Sequence, residues 1–320
     1  MTPGRVRNIC LQYLRRHGAS EHEAEVVFED YLDAEMRGRH SHGLGALDIA
    51  LKAFPTRSGP KINIVSPGYI RVDGCGGSGH VVAREAIDIA INQGLPFSIL
   101  GLRDIWRFNS PGAIARFAGD KGWLSVVVQV GGPAIMAPWG GRDARLGNSP
   151  IGIAIPHVDP MLVLDVSMAA ITHGAVIAAL RENIMLPPNV ALAGNGAITE
   201  DPFQATATLP FGHKGYGLAV SLELLGGLWL DVPIGRHGQA DKRGAIIVLL
   251  RADDCSPFHE SLDIIAQRFL ADLQDASGNV LYPGQGGEMR RREVLKSGFI
   301  EISDQILHRL VSVSQQDEGD

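Results

Sequence analysis

The chain has 320 residues, 45% of them apolar and 20% charged, with 39 glycines, 18 prolines and a formal charge of -6. That is ample material for a buried core and excludes general disorder, leaving only the tail 314–320 to be read as disordered. Scattered basic residues on an acidic background exclude a nucleic-acid groove, where a positive stripe must displace counterions, so a small molecule is the expected partner.

The opening stretch MTPGRVRNICLQYLRRHG alternates charge with apolar residues and lacks the uninterrupted apolar core of a secretion signal. A soluble protein that is not exported is expected. Residues up to about 40 read as two helices. Ser20, Glu21, His22 and Glu23 form a capping box, Ala24, Val27, Phe28, Tyr31, Leu32 and Ala34 then recur at helical spacing, and Gly38 is a natural stop. Beyond residue 62 strands and helices alternate. INIV, YIRVD and FSILGL (97–102) are strand-like, 81–92 and 112–121 helical, and WLSVVVQV (123–130) and MLVLDVS (161–167) strands. A helix over 176–182, a long apolar helix over 214–230, the strand GAIIVLLR (244–251) and an amphipathic helix over 261–273 follow. The most apolar stretch, 218–230, carries Glu223 and is too short to span a bilayer. Cys10, Cys75 and Cys255 are far apart and odd in number, so neither a disulfide framework nor a Cys-x-x-Cys metal pair can be written, which fits a reducing cytoplasm.

Four places carry candidate chemistry. The run from Gly74 to Gly79, GCGGSG, fits the dinucleotide fingerprint G-x-G-x-x-G, and it follows a strand and opens a helix. Against it, Asp104 comes later than the expected acidic residue, and Asp73-Gly74 is an ordinary turn pair, so the motif alone decides nothing. GRHSHGLG (38–45) sets His40 and His42 around Ser41. A His-x-His metal pair lacks further ligands there, and a serine nucleophile lacks its strand-to-helix elbow. A histidine proton donor and a plain polar turn both remain open. Lys214, beside His213 in the first turn of a helix, opposes the helix dipole and favours a bound anion over a merely exposed lysine. Asp165 and Ser167 end a buried strand, where polar groups meet a ligand or cap the next helix. Glu223, alone in an apolar helix, calls for a structural partner.

Six phrases in fixed order carry a resemblance: MRGRHSHG (36–43), VDGCGGSGHVVA (72–83), MAPWGGRDARLGNSPIGIAIP (136–156), LVLDVSMAAITHG (162–174), ITEDP (198–202) and LPFGHKGYGLAVSLELLGG (209–227). With them the chain resembles the malate/L-lactate dehydrogenase family of the non-Rossmann, L-sulfolactate dehydrogenase-like kind, which includes 2,3-diketogulonate reductase, ureidoglycolate dehydrogenase and delta-1-piperideine-2-carboxylate reductase. The resemblance implies a small helical domain (1–60, joined by C-terminal helices from about 285–320) and a mixed-sheet α/β NAD(P)-binding domain (61–284) that is not a Rossmann fold. It implies a homodimer with the active site between the domains, and it makes the glycine run a turn.

The resemblance also implies hydride transfer between NAD or NADP and a small 2-oxo acid, 2-hydroxy acid or cyclic imino acid. The cofactor would be held by Leu162, Val163, Asp165, Ser167, His173, His213, Lys214, Gly284 and Glu288. His42 would be the proton donor with Ser41 as its hydrogen-bonding partner, His40 incidental, and no metal is expected. The chain departs from its relatives in the substrate half. Ala46 stands where many have an arginine for the substrate carboxylate, Arg107 stands where some have a second histidine, Asn148 lies in Gly147-Asn148-Ser149-Pro150 in place of Gly-Thr-Asn-Pro, and His173 replaces an arginine. Arg107, a poor acid but a good bidentate carboxylate binder, is therefore expected to take over the carboxylate grip, with Asn148 also at the substrate. These departures leave the substrate open, and they keep a catalytically altered or inactive nucleotide-binding relative as the alternative.

Overall fold

Local signals start the first two helices. Pro3 opens α1 (Pro3–Arg16), where its missing amide would have had no helical partner. At the start of α2 (Glu21–Met36), Ser20 accepts from the Glu23 amide at 3.3 Å and the Glu23 carboxylate accepts from the Ser20 amide at 2.8 Å, the reciprocal box expected from the sequence. The computed structural model describes residues 1–54, 58–251 and 261–312, so Cys255 and the tail 314–320 lie outside the described residues. After α2 the chain forms short 3-10 turns over His40–His42 and Leu44–Ala53.

A seven-stranded mixed sheet follows, in the order β1-β2-β3-β10-β4-β5-β6. Its strands are β1 (Lys61–Ser66), β2 (Tyr69–Asp73), β3 (Phe97–Ile105), β4 (Trp123–Gly131), β5 (Ile151–Ile155), β6 (Leu162–Val166) and β10 (Arg243–Arg251). Of these neighbours β2 and β3 run parallel and the other pairs antiparallel. A separate three-stranded sheet, absent from the sequence reading, joins β7 (Ala191–Ala193), β8 (Ile198–Thr199) and β9 (Ala205–Thr208). The remaining helices are α3 (Gly79–Asn92), α4 (Pro111–Gly119), α5 (His173–Glu182), α6 (Gly212–Leu230), α7 (Leu262–Gln274), α8 (Gln285–Ser297) and α9 (Asp304–Ser312).

The period of two in the central strands explains why they read as continuous apolar runs. Val127, Ile247 and Leu249 point to one face and pack with Ala86 and Ile87 of α3 and Ile114 and Ala118 of α4. Val128, Val130 and Ile246 point to the other and pack with Leu230 of α6. Both faces are covered, so these strands show no regular polar alternation, and the polar residues of β4, Ser125 and Gln129, are themselves buried. Each fully buried aliphatic side chain contributes about 1.5–3 kcal/mol. A second cluster joins Leu14 of α1, Phe28 of α2 and Leu47 to Trp106, Ile300 and Leu310, and the Ile300 amide donates to the Met1 carbonyl at 2.8 Å. The C-terminal chain thus returns to the N-terminal helices.

The glycine run does sit in a βαβ unit, between β2 and α3, but its amides are spent internally. Gly74 donates to the Arg103 carbonyl at 2.9 Å, Gly76 to the Asp104 carbonyl at 2.6 Å and Gly77 to the Gly74 carbonyl at 2.8 Å. Asp104 itself takes Lys242 at 2.6 Å. No amide of this set is free for a pyrophosphate, and the fold is not a Rossmann fold. What the run achieves is close approach: a Cβ on Gly79 would lie 2.3 Å from the Trp106 carbonyl and 2.8 Å from the Phe108 ring. The segment leaving β3 therefore lies directly on the start of α3. Gly79→Ala is expected to destabilise the fold by about 1–3 kcal/mol through overpacking, read as a lower urea midpoint. Among the described residues, no helix is long and apolar enough to cross a membrane.

Candidate active site

The 3-10 turn after α2 brings Ser41 and His42 to the rim of a cavity of about 640 Å³, in the range of small-ligand sites. The Ser41 hydroxyl lies 2.9 Å from His42 Nδ1. With Nδ1 engaged by the hydroxyl, Nε2 is the ring nitrogen left for a ligand. The backbone of the turn is held from below, where Asn109 donates from Nδ2 to the His42 carbonyl. Asn109 in turn donates its amide to His80 Nε2 at 2.9 Å, and His80 Nδ1 meets the Asp30 carboxylate at 2.5 Å. His80 and Asp30 are buried, so this chain of bonds ties His42 to α2 and α3 through groups that water does not reach. His40 turns away: its Nδ1 is 2.5 Å from Glu35, whose other oxygen accepts from the Leu44 amide at 2.8 Å. Among the described residues no cluster of three His, Cys, Asp or Glu side chains could hold a metal.

Burial lowers the pKa of His42, Arg107 and Arg39 add to that, and Asp165 opposes them. Arg107, on the segment leaving β3, lines the same cavity, and its Nε donates to the Phe108 carbonyl at 3.4 Å. Asn148 lines it too, on a loop fixed from behind by Glu223. The Glu223 carboxylate accepts from the Gly147 amide at 2.6 Å and the Gly235 amide at 3.2 Å, so the structural partner expected for this buried acid is backbone. Its burial raises its pKa, against those two bonds.

Asp165, Ser167 and His173 also line this cavity, bringing seven of the sequence-predicted residues together. Asp165, at the end of β6, accepts from Arg39 and from the Ser110 hydroxyl that caps α4. The other predicted cofactor residues lie elsewhere. Val163, Gly284 and Glu288 line a second cavity of about 520 Å³, where Glu288 pairs with Arg37 at 2.7 Å. The two segments are stitched together by the Val163 amide donating to the Pro283 carbonyl at 3.0 Å. Leu162 packs against the cluster of Val158, Leu270 and Tyr282 and lines neither cavity. His213 and Lys214, exposed at the start of α6, lie outside both, with the His213 ring edge-on to Trp139.

Several groups of this site were not singled out in the sequence, Asn109, Ser110 and Asp30 among them. Arg243, the first residue of β10, and Gln129 of β4 line the cavity, and His80 supports it from below. For His80 the available signal was its place directly after the glycine run; Arg243 and Gln129 had only their positions at strand ends.

The donor set fits a nicotinamide nucleotide beside a small polar substrate. β6 is the outer strand of the sheet, met at Val163 by the Pro283 segment, its end at Asp165 reaches the cavity, and Gln129 Nε2 is buried without a hydrogen-bond partner among the described residues. Comparison with known proteins agrees with this geometry. A family model described as malate/L-lactate dehydrogenase matches residues 1–311. The L-sulfolactate dehydrogenase of Methanocaldococcus jannaschii is 28% identical over 336 residues, covering 99% of this chain and 96% of the relative. The ureidoglycolate dehydrogenase (NAD(+)) of Escherichia coli O157:H7 is 27% identical, covering 92% of this chain and 90% of the relative. A crystal structure of a dehydrogenase from Sinorhizobium meliloti superimposes with a TM-score of 0.88 at 27% identity, covering 98% of this chain and 97% of that one. The chain belongs to the malate/L-lactate dehydrogenase family and is an oxidoreductase.

Proposed function

We propose that the protein transfers a hydride between NAD or NADP and a small 2-oxo acid, 2-hydroxy acid or cyclic imino acid. The observation that carries this reading is the convergence, in one cavity, of the Ser41–His42 pair, the Arg107 guanidinium and the end of β6. When bound, the nicotinamide would supply or accept the hydride at C4. Leu162, Val163, Asp165, Ser167 and His173 on and after β6, with Gly284, Glu288, His213 and Lys214, are the residues proposed to hold the cofactor. As the imidazolium, His42 donates from Nδ1 to the Ser41 hydroxyl, which fixes the ring, and gives its Nε2 proton to the carbonyl oxygen or imine nitrogen. Arg107 and Asn148 bind the substrate, with the guanidinium on its carboxylate. On α6, Leu218, Leu224, Leu225 and Leu228 are exposed, an apolar face that supports a homodimer. The reading is of a soluble, cytoplasmic enzyme.

Titrating NADH and NADPH by their fluorescence, then screening 2-oxo acids and cyclic imines for turnover, tests it. Binding with turnover is expected. Nucleotide binding with no turnover on any substrate would establish the inactive relative instead, and stoichiometric zinc in the purified protein would point to a metallohydrolase.

A further inference from the structure

We infer that Arg107 and Arg243 form a two-cation clamp and that the substrate is a dianion, a small 2-oxo or 2-hydroxy acid bearing a second anionic group. This rests on the reading that the cavity around His42 is the substrate site. It adds a specificity residue, Arg243, that comes from a distant part of the chain.

The sheet register brings the two arginines together. Arg243 begins β10, directly opposite Gly131 of β4 on one side and Ile105 of β3 on the other. Arg107 follows Ile105 closely, so both side chains reach the same cavity. Arg243 has a shaped berth: a Cβ on Gly132 would lie 2.1 Å from its Nη1, so the space its guanidinium fills exists because residue 132 has no side chain. There Nη1 donates to the Gly131 carbonyl at 3.4 Å and Nε to the Ala240 carbonyl at 3.3 Å. The partners of both arginines are carbonyls. Among the described residues neither pairs with a carboxylate.

Two like charges held this way are an uncompensated cost. Their mutual effect is visible on their neighbours. Burial and Arg107 push the Arg243 guanidinium down to about 10, still protonated at neutral pH, and burial with Arg107 and Arg243 lowers His173. The wall carries two further cations, Arg39 and Lys52, and two carboxylates, Asp48 and Asp165. Asp165 is taken by Arg39, and Asp48 faces Arg309 at 3.5 Å. Counted over the lining residues alone, four cations against two carboxylates, the cavity carries an excess of two positive charges. One carboxylate satisfies one guanidinium bidentately and leaves the other bare, whereas a dianion satisfies both. The unpartnered Nε2 of Gln129, in the same wall, is a further donor for such a ligand.

Calorimetry on the protein saturated with NADH or NADPH, with malonate and succinate against acetate and oxamate, tests the clamp without turnover. The dicarboxylates are expected to bind at least about tenfold tighter than the monocarboxylates. Arg243→Gln should weaken dicarboxylate binding by about 10–100-fold and leave the monocarboxylates, held by Arg107, within about twofold. Arg243→Lys should recover part of the loss. Its urea midpoint should not fall in Arg243→Gln, since a repelling charge is removed. Equal losses for both ligand classes, no loss for either, or a loss of nucleotide affinity in Arg243→Gln would overturn the clamp. Absence of turnover on every acid and imine, with dicarboxylate selectivity intact, would instead overturn the catalytic reading and leave the clamp standing.

Discussion

Replacing His42 with alanine is expected to lower the turnover of 2-oxo acid reduction by about 100 to 10,000-fold and to leave nucleotide affinity unchanged. The pH dependence follows from the surroundings of the ring. A proton donor must be protonated before reduction, and burial, Arg107 and Arg39 lower the His42 pKa against the pull of Asp165. For reduction, kcat/KM should therefore fall as pH rises through a value below the ordinary imidazole pKa of about 6.5. An anionic substrate offsets Arg107, so the corresponding limb in kcat should lie at higher pH. Arg107→Gln removes one repelling charge and should move the kcat/KM limb upward. Steady-state rates from about pH 5 to about pH 9 read all of this. Turnover within a few-fold of wild type in His42→Ala would assign the proton to another group.

The largest loss of stability is expected from Asp30→Ala. Asp30 accepts from His80 at 2.5 Å and from Arg84, and its removal leaves buried donors without their acceptor, at a cost of about 3–5 kcal/mol. Burial alone would push the Asp30 carboxyl up, but His80 and Arg84 outweigh it and hold it below the usual carboxylate range. A carboxyl lowered in the folded state contributes stability that is fully present above its unfolded value of about 3.9. That contribution is lost as pH falls through the folded value. Urea midpoints at neutral pH should drop sharply in the variant, and the gap to wild type should close in acid. Turnover should fall as well, because His80 carries the Asn109 amide and Asn109 carries the His42 carbonyl. A midpoint equal to that of wild type would show that the pair holds nothing up.

The parts of this protein legible from the chain are those governed by near neighbours. The Ser20 box, the apolar spacing of α2 and the doubly buried central strands depend on contacts a few residues apart or on a single repeat period. Ser41 and His42 were legible for the same reason, being adjacent. The glycine run could not be decided from its own residues because G-x-G-x-x-G reports only where a backbone comes close, and the partner here is the end of β3 instead of a phosphate. His213 and Lys214 stand out from the first turn of α6, which is legible locally; that they are exposed, His213 beside Trp139, and lie outside both cavities is a tertiary fact. β5, only five residues long, and the small three-stranded sheet gave too short a pattern to read.

By itself the sequence determined the family phrases, the α/β alternation and the imidazole at the rim. The tertiary structure alone decided what surrounds that imidazole. Asp30 reaches His80 across 50 residues, and Arg243 comes to line the same cavity as Arg107 through a strand register that no spacing in the chain announces. The reason is physical: helix caps and periodicity are set by bonds along the backbone, whereas charge and desolvation act through space, and their balance exists only once distant strands lie side by side.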